Sequence, residues 1–251
     1  MNNDLFINYI FEEEKEYVSD IHDNSGNVSN ISSYEVKMIV KDILEEVDVT
    51  GEWVEIYLNA IKSGHIIYLN ELDDVLLNKL KSGLEMFNID NTCMYLGNKD
   101  RYLFLNCHGN LNDIVLTIHE IIHYINGVYD NVNDVNPIIR EFPSIFYEMY
   151  AIKYLSKLGY SNSDIENVYY MRKNIIFNMI KEIEVNTNDD MLLSCYSYVI
   201  GHYLARIAID KIDSDKLLLS IIKYITEHLS KIDINDIFDL LEVDTKKRTL
   251  K

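Results

Sequence analysis

The feature that most constrains this chain is His119-Glu120-Ile121-Ile122-His123, set in an apolar stretch with helical patterning from about Leu111 to Asn126. On a helix, residues four apart differ by ~40° around the axis and stand one turn apart, so both imidazoles reach a single ion from one side. Glu120 lies ~100° from His119, beside such an ion, where a carboxylate can take a proton from water. Ile114, Val115, Ile118, Ile121, Ile122 and Ile125 fill the other faces. The helix is therefore expected to be buried, and a buried polar stripe needs partners or a metal. Gly127 is expected to close it as a C-terminal cap.

A catalytic zinc takes three protein ligands and leaves a position open for water. The stretch Arg140-Glu141-Phe142-Pro143-Ser144-Ile145-Phe146-Tyr147-Glu148 reads as the start of a second helix, with Pro143 in its first turn. Glu141 and Glu148, seven residues apart, lie ~20° from eclipsed and ~10 Å apart along the axis. One of them is placed to complete the ligand set. The other is placed to hydrogen-bond a liganding histidine from behind, as metal-bound imidazoles require. Ser144 on the same face is small enough to let the two helices approach.

Most of the chain shows amphipathic helical periodicity, with segments near 33–47, 52–63, 71–87, 111–126, 142–158, 162–184, 189–211, 214–230 and 234–242. Two apolar runs, Cys93 to Leu96 and Tyr102 to Asn106, are split by Gly97-Asn98-Lys99-Asp100 and predict a β-hairpin. The Asn-, Ser- and Gly-rich stretch 22–33 predicts a loop. The expected organisation is a helical region 1–90 followed by 91–251, a core and C-terminal helices, as one continuous domain. Cys93, Cys107 and Cys195 lack any paired spacing and are expected to be reduced and mostly buried. The basic run 246–251 is expected to be a solvated end.

Acidic residues outnumber basic ones 41 to 23, a formal charge of −18, which repels phosphate backbones and acidic lipid. Nucleic acid and membrane are thus not the expected partners. No basic leader or ~20-residue apolar run is visible, so the expected location is cytoplasmic. Carboxylates around a cleft would favour cationic peptides through the long-range field. The strand Arg101 to Asn106, with Phe104 and Asn106, is expected to bind a substrate backbone as an added strand. Peptide hydrolysis by such a site also needs a donor to the carbonyl oxygen, and with 19 tyrosines the spacing alone singles none out.

The stretch Asn91 to Ala205 resembles the catalytic core of the thimet oligopeptidase and oligoendopeptidase F family of zinc metallopeptidases, closest to the oligoendopeptidase F branch. Tyr102 to Glu120 is similar to the family's hairpin strand running through Asn and Gly into the zinc helix. Glu141-Phe142-Pro143-Ser144 followed by Glu148 is similar to its third-ligand motif, which selects Glu141 as ligand and leaves Glu148 behind a histidine. Tyr196-Ser197-Tyr198-Val199-Ile200-Gly201 resembles the tyrosine-rich helix that stabilises the tetrahedral intermediate, favouring Tyr198 over Tyr196.

The resemblance implies a mainly α, gluzincin-like fold with a β-hairpin beside the H-E-x-x-H helix. It also implies one zinc ion on His119, His123 and Glu141, Glu120 as general base, and a peptide substrate. Three departures accompany it: Ile122 replaces the usual Gly, the His123–Glu141 spacing is short, and no His stands near 186–190. Family members also carry a large enclosing lobe that limits substrates to short peptides; here that size selection is expected to be lost, or replaced by a homodimer or a dedicated partner. Two other readings follow from these departures. One is an intracellular regulatory protease that cuts a single protein; the other is a zinc-containing peptide-binding protein without catalysis.

Overall fold

In the computed structural model of the protein, the described residues are 3–19, 30–83, 92–96, 100–131, 134–185, 189–211 and 217–241. Most of the expected 22–33 loop, the turn at 97–99, the side chain of Cys93, residues 186–188 and the tail 246–251 lie outside them. The fold is mainly helical, as expected. It runs α1 (Asn3–Val18), α2 (Ser33–Val47), α3 (Glu52–Lys62), β1 (Ile66–Tyr68), α4 (Asp74–Gly83), β2 (Thr92–Leu96) and β3 (Asp100–Leu105). There follow α5 (Asn112–Tyr129), α6 (Phe142–Lys157), α7 (Asn162–Val185), α8 (Asp189–Lys211), α9 (Leu217–Glu227) and α10 (Ile234–Leu240).

Local chemistry explains several boundaries. Ser32 and Glu35 form a reciprocal capping box at the start of α2, satisfying two otherwise unpaired amides. Gly109 adopts φ +84°, and Asp113 then accepts the amides of Gly109 and Asn110 at 2.7 and 2.9 Å, which launches α5. Gly127 does not end α5. The helix continues to Tyr129, and Asp130 closes it by donating its amide to Asn126, while its side chain accepts from Ser230. That tertiary tie to the 229–231 turn replaces the local glycine signal.

The strands correct two expectations. β2 and β3 pair antiparallel, Thr92 opposite Phe104 through Leu96 opposite Asp100. A further strand, β1, pairs parallel with β3 on its other side, giving the order β1-β3-β2. β3 is therefore the central strand, with β1 alongside Leu103 to Leu105 and β2 alongside Asp100 to Phe104, so a substrate backbone could not add along the part of Arg101 to Asn106 that β1 covers. Phe104 is buried beneath Leu69 with Leu77 and Leu80 against it, so it packs the sheet on α4 instead of facing a substrate. Asn106 lies half-buried beyond the strand end, near His108.

One apolar core extends from Ile10 to Leu241, drawing on residues from both sides of position 90. α5 packs on α2, α3, α6 and α9, and α6 in turn packs on α8. The segment Met191–Lys211 of α8 has the length and hydropathy of a membrane span. In this fold it lies against α1, α6 and α7, and just over half of its most apolar window is buried. Cys107 and Cys195 are buried free thiols. α1, for which the periodicity offered no segment, rests on α7 and α8. Its Glu14 is fully buried, where His202 and Arg206 of α8 meet it.

Candidate metal centre

α5 and α6 bring three of the expected residues to one point. His119 Nε2 and His123 Nε2 stand 3.1 Å apart, Glu141 Oε2 is 3.0 Å from His123 Nε2, and it is 3.4 Å from His119 Nε2. Among the described residues these form the one group of His, Cys, Asp and Glu donors able to hold a metal ion. Donors ~2.0–2.2 Å from a tetrahedral ion are ~3.3–3.6 Å from one another, so the triangle is close to the size such an ion needs. His119 and Glu141 are buried, whereas His123 keeps 19% of its side chain exposed and marks the open side.

Glu141 occupies the N-cap position of α6 without a side-chain capping bond, with Pro143 in the first turn, so its carboxylate is left for the histidines. Arg140 donates to Glu141 Oε1 at 3.2 Å, which turns Oε2 toward the histidines. Gly201 of α8 brings the helices together at this point. A Cβ there would lie 3.0 Å from the Phe142 amide nitrogen and 3.1 Å from the Glu141 carbonyl carbon.

Glu148 stands on the opposite side of His119, with Oε1 2.6 Å from Nδ1, although the ring N–H is not aimed squarely at it. Arg172 of α7 holds Glu148 in turn, Nε to Oε2 at 2.8 Å with Nη2 on Oε1. Burial opposes charge on all three buried groups. Nevertheless Glu148 and Glu141 push His119 up to about 10, His123 and His119 hold Glu141 well below the carboxylate range, and Arg172 and His119 lower Glu148. The pocket is thus built to stabilise positive charge between the imidazoles and the carboxylates.

Tyr198 lies over His119, the rings 5.9 Å apart and nearly parallel, with its hydroxyl 3.5 Å from Nε2. Burial, reinforced by Glu141, Glu148 and Glu120, raises its phenol well above 10, so it is protonated. Glu120 is half-buried on α5, close enough for its charge to act on both His119 and Tyr198. Tyr196 is not brought to this point. Two residues along a helix turn ~200°, and Tyr196 instead lines a separate pocket with Leu193, Ile200 and Ile138. Arg172, 24 residues from Glu148 and on another helix, carried no sequence signal; Arg140, adjacent to Glu141, had only its proximity. No protein-family model, curated protein or solved structure matches the chain.

Proposed function

We propose that this chain is a zinc-dependent metallopeptidase acting on oligopeptides or unfolded segments, a relative of the thimet oligopeptidase and oligoendopeptidase F family. The observation that carries the reading is the donor triangle of two imidazoles and one carboxylate, 3.0 to 3.4 Å on a side, with Glu120 on the same helical turn. Two His and one Glu match the donor set of catalytic zinc, and zinc bound there supplies Lewis acidity and a water of lowered pKa.

The remaining roles belong to the chain's own side chains. Glu120 takes the water proton and delivers it to the amine nitrogen as the peptide C–N bond breaks. Tyr198, protonated because it is buried, donates a hydrogen bond to the carbonyl oxygen as negative charge collects there. Glu148, anchored by Arg172, occupies the Nδ1 side of His119 and leaves Nε2 for the metal.

The test measures metal content alongside hydrolysis of a mixed peptide library. One zinc per chain is expected, with activity lost to a chelator and restored by zinc. Glu120→Gln should keep the zinc and lose about 10²- to 10⁴-fold in turnover. Stoichiometric zinc with no hydrolysis would favour a binding protein, and cleavage of one protein but no peptide would favour a dedicated regulatory protease.

A further inference from the structure

Beside Glu148 a cavity of about 200 Å³ lies between α1, α6, α7 and α8. A cavity of ~150 Å³ is enough to take up benzene, so this one has room for a single ring or a short branched chain. Met149, Ile152 and Ile209 supply apolar wall, and Tyr17 and Tyr169 supply aromatic wall.

The polar lining is unusual for a chain of net charge −18, because three cations converge on it: Arg172, Lys173 and Arg206. Two already have carboxylate partners. Arg172 is bound to Glu148, and Arg206 donates through Nε and Nη2 to Glu14 at 3.2 and 3.0 Å, with His202 on the other oxygen of Glu14. Lys173 differs. Among the described residues it makes no ion pair, and its ammonium lies 4.3 Å from the centroid of the Tyr17 ring, which the Arg206 guanidinium also faces at 4.6 Å. Lys173 is thus the lining cation without a carboxylate partner, and an anion entering the cavity would meet its charge beside Tyr17.

We propose that this cavity binds a small organic monocarboxylate, its carboxylate against Lys173 and its apolar body against Met149, Ile152 and Ile209. The apolar walls favour an organic body over a bare inorganic ion. Asp210, also on the lining and charged near Tyr17 and Tyr169, disfavours a second negative group. The site is independent of the peptidase reading, since none of its recognition contacts uses the metal ligands.

The experiment titrates the full chain with benzoate, with its neutral isostere benzamide, and with inorganic phosphate, by calorimetry in chloride-free buffer. Benzoate is expected to bind one per chain, at least tenfold tighter than benzamide or phosphate. Lys173→Met, a change that breaks no ion pair, should reduce benzoate to the benzamide level while the melting temperature stays within a few degrees. Equal binding of benzoate and benzamide would overturn recognition by charge, and phosphate binding as tight as benzoate would overturn the organic assignment. Absence of saturable binding at millimolar benzoate, or unchanged affinity in Lys173→Met, would overturn the site itself. The benzoate–benzamide comparison is made on the unmodified chain, so it stands even if the variant fails to fold.

Discussion

Glu148 stands 2.6 Å from His119, on the Nδ1 side of a ring whose Nε2 faces His123 and Glu141. A carboxylate in that place orients the imidazole and raises its donor strength. Glu148→Gln is therefore expected to weaken metal binding about 10- to 100-fold, read by competition with a chromogenic chelator. Unchanged affinity would show that α5 alone orients His119.

Gly201 of α8 has no side chain where the backbone of Glu141 and Phe142 passes. In Gly201→Ala the new Cβ would meet backbone atoms at 3.0 and 3.1 Å, and backbone yields less readily than a flexible side chain. We expect a loss of about 1–3 kcal/mol in chemical unfolding, together with weaker metal affinity as the Glu141 carboxylate shifts. A destabilised variant with wild-type metal affinity would mean that the strain is absorbed in α8.

Phe104 belongs to the sheet interior. Phe104→Ala should lower stability by about 3 kcal/mol, through the void left among Leu69, Leu77 and Leu80. Equilibrium urea denaturation checks this, and a cost below about 1 kcal/mol would place Phe104 outside the load of the sheet.

Glu14 links folding to pH. Burial raises its carboxyl, but His202 and Arg206 outweigh that and hold it below its ordinary 4.5. A carboxylate lowered in the folded state contributes stability that is complete above its unfolded pKa and is lost as pH falls through the folded one. The acid limb of the stability curve, below about pH 4.5, should thus flatten in Glu14→Gln. The same variant should lose about 3 kcal/mol or more at neutral pH, because Arg206 and His202 would be left facing a neutral amide. Parallel acid limbs in the two proteins would assign the acid sensitivity to other carboxylates.

Elements whose physics is local were legible from the chain. The H-E-x-x-H helix has its periodicity in its own residues, and α2, α6 and α8 begin where the apolar periodicity, joined at α6 by Pro143, places them. The pairing of Glu141 with Glu148 was likewise visible, since seven residues on a helix repeat one face. β1 was not legible: three residues, Ile66 to Tyr68, carry too short a pattern, and only their pairing with β3 makes them a strand.

By itself, then, the sequence determined the helical character, the two histidines on one face and the carboxylates facing them. Tertiary structure decided which oxygen meets which nitrogen. It also placed Tyr198 and not Tyr196 over His119, buried Glu14 against His202 and Arg206, and set β1 beside Leu103 to Leu105 of β3. Helical periodicity is set by neighbours three and four residues away, whereas the partners of Glu14, Glu148 and β3 lie 188, 24 and 37 residues away. Contacts at those separations form only when α1, α7, α8 and β1 pack around the core, and no local pattern encodes them.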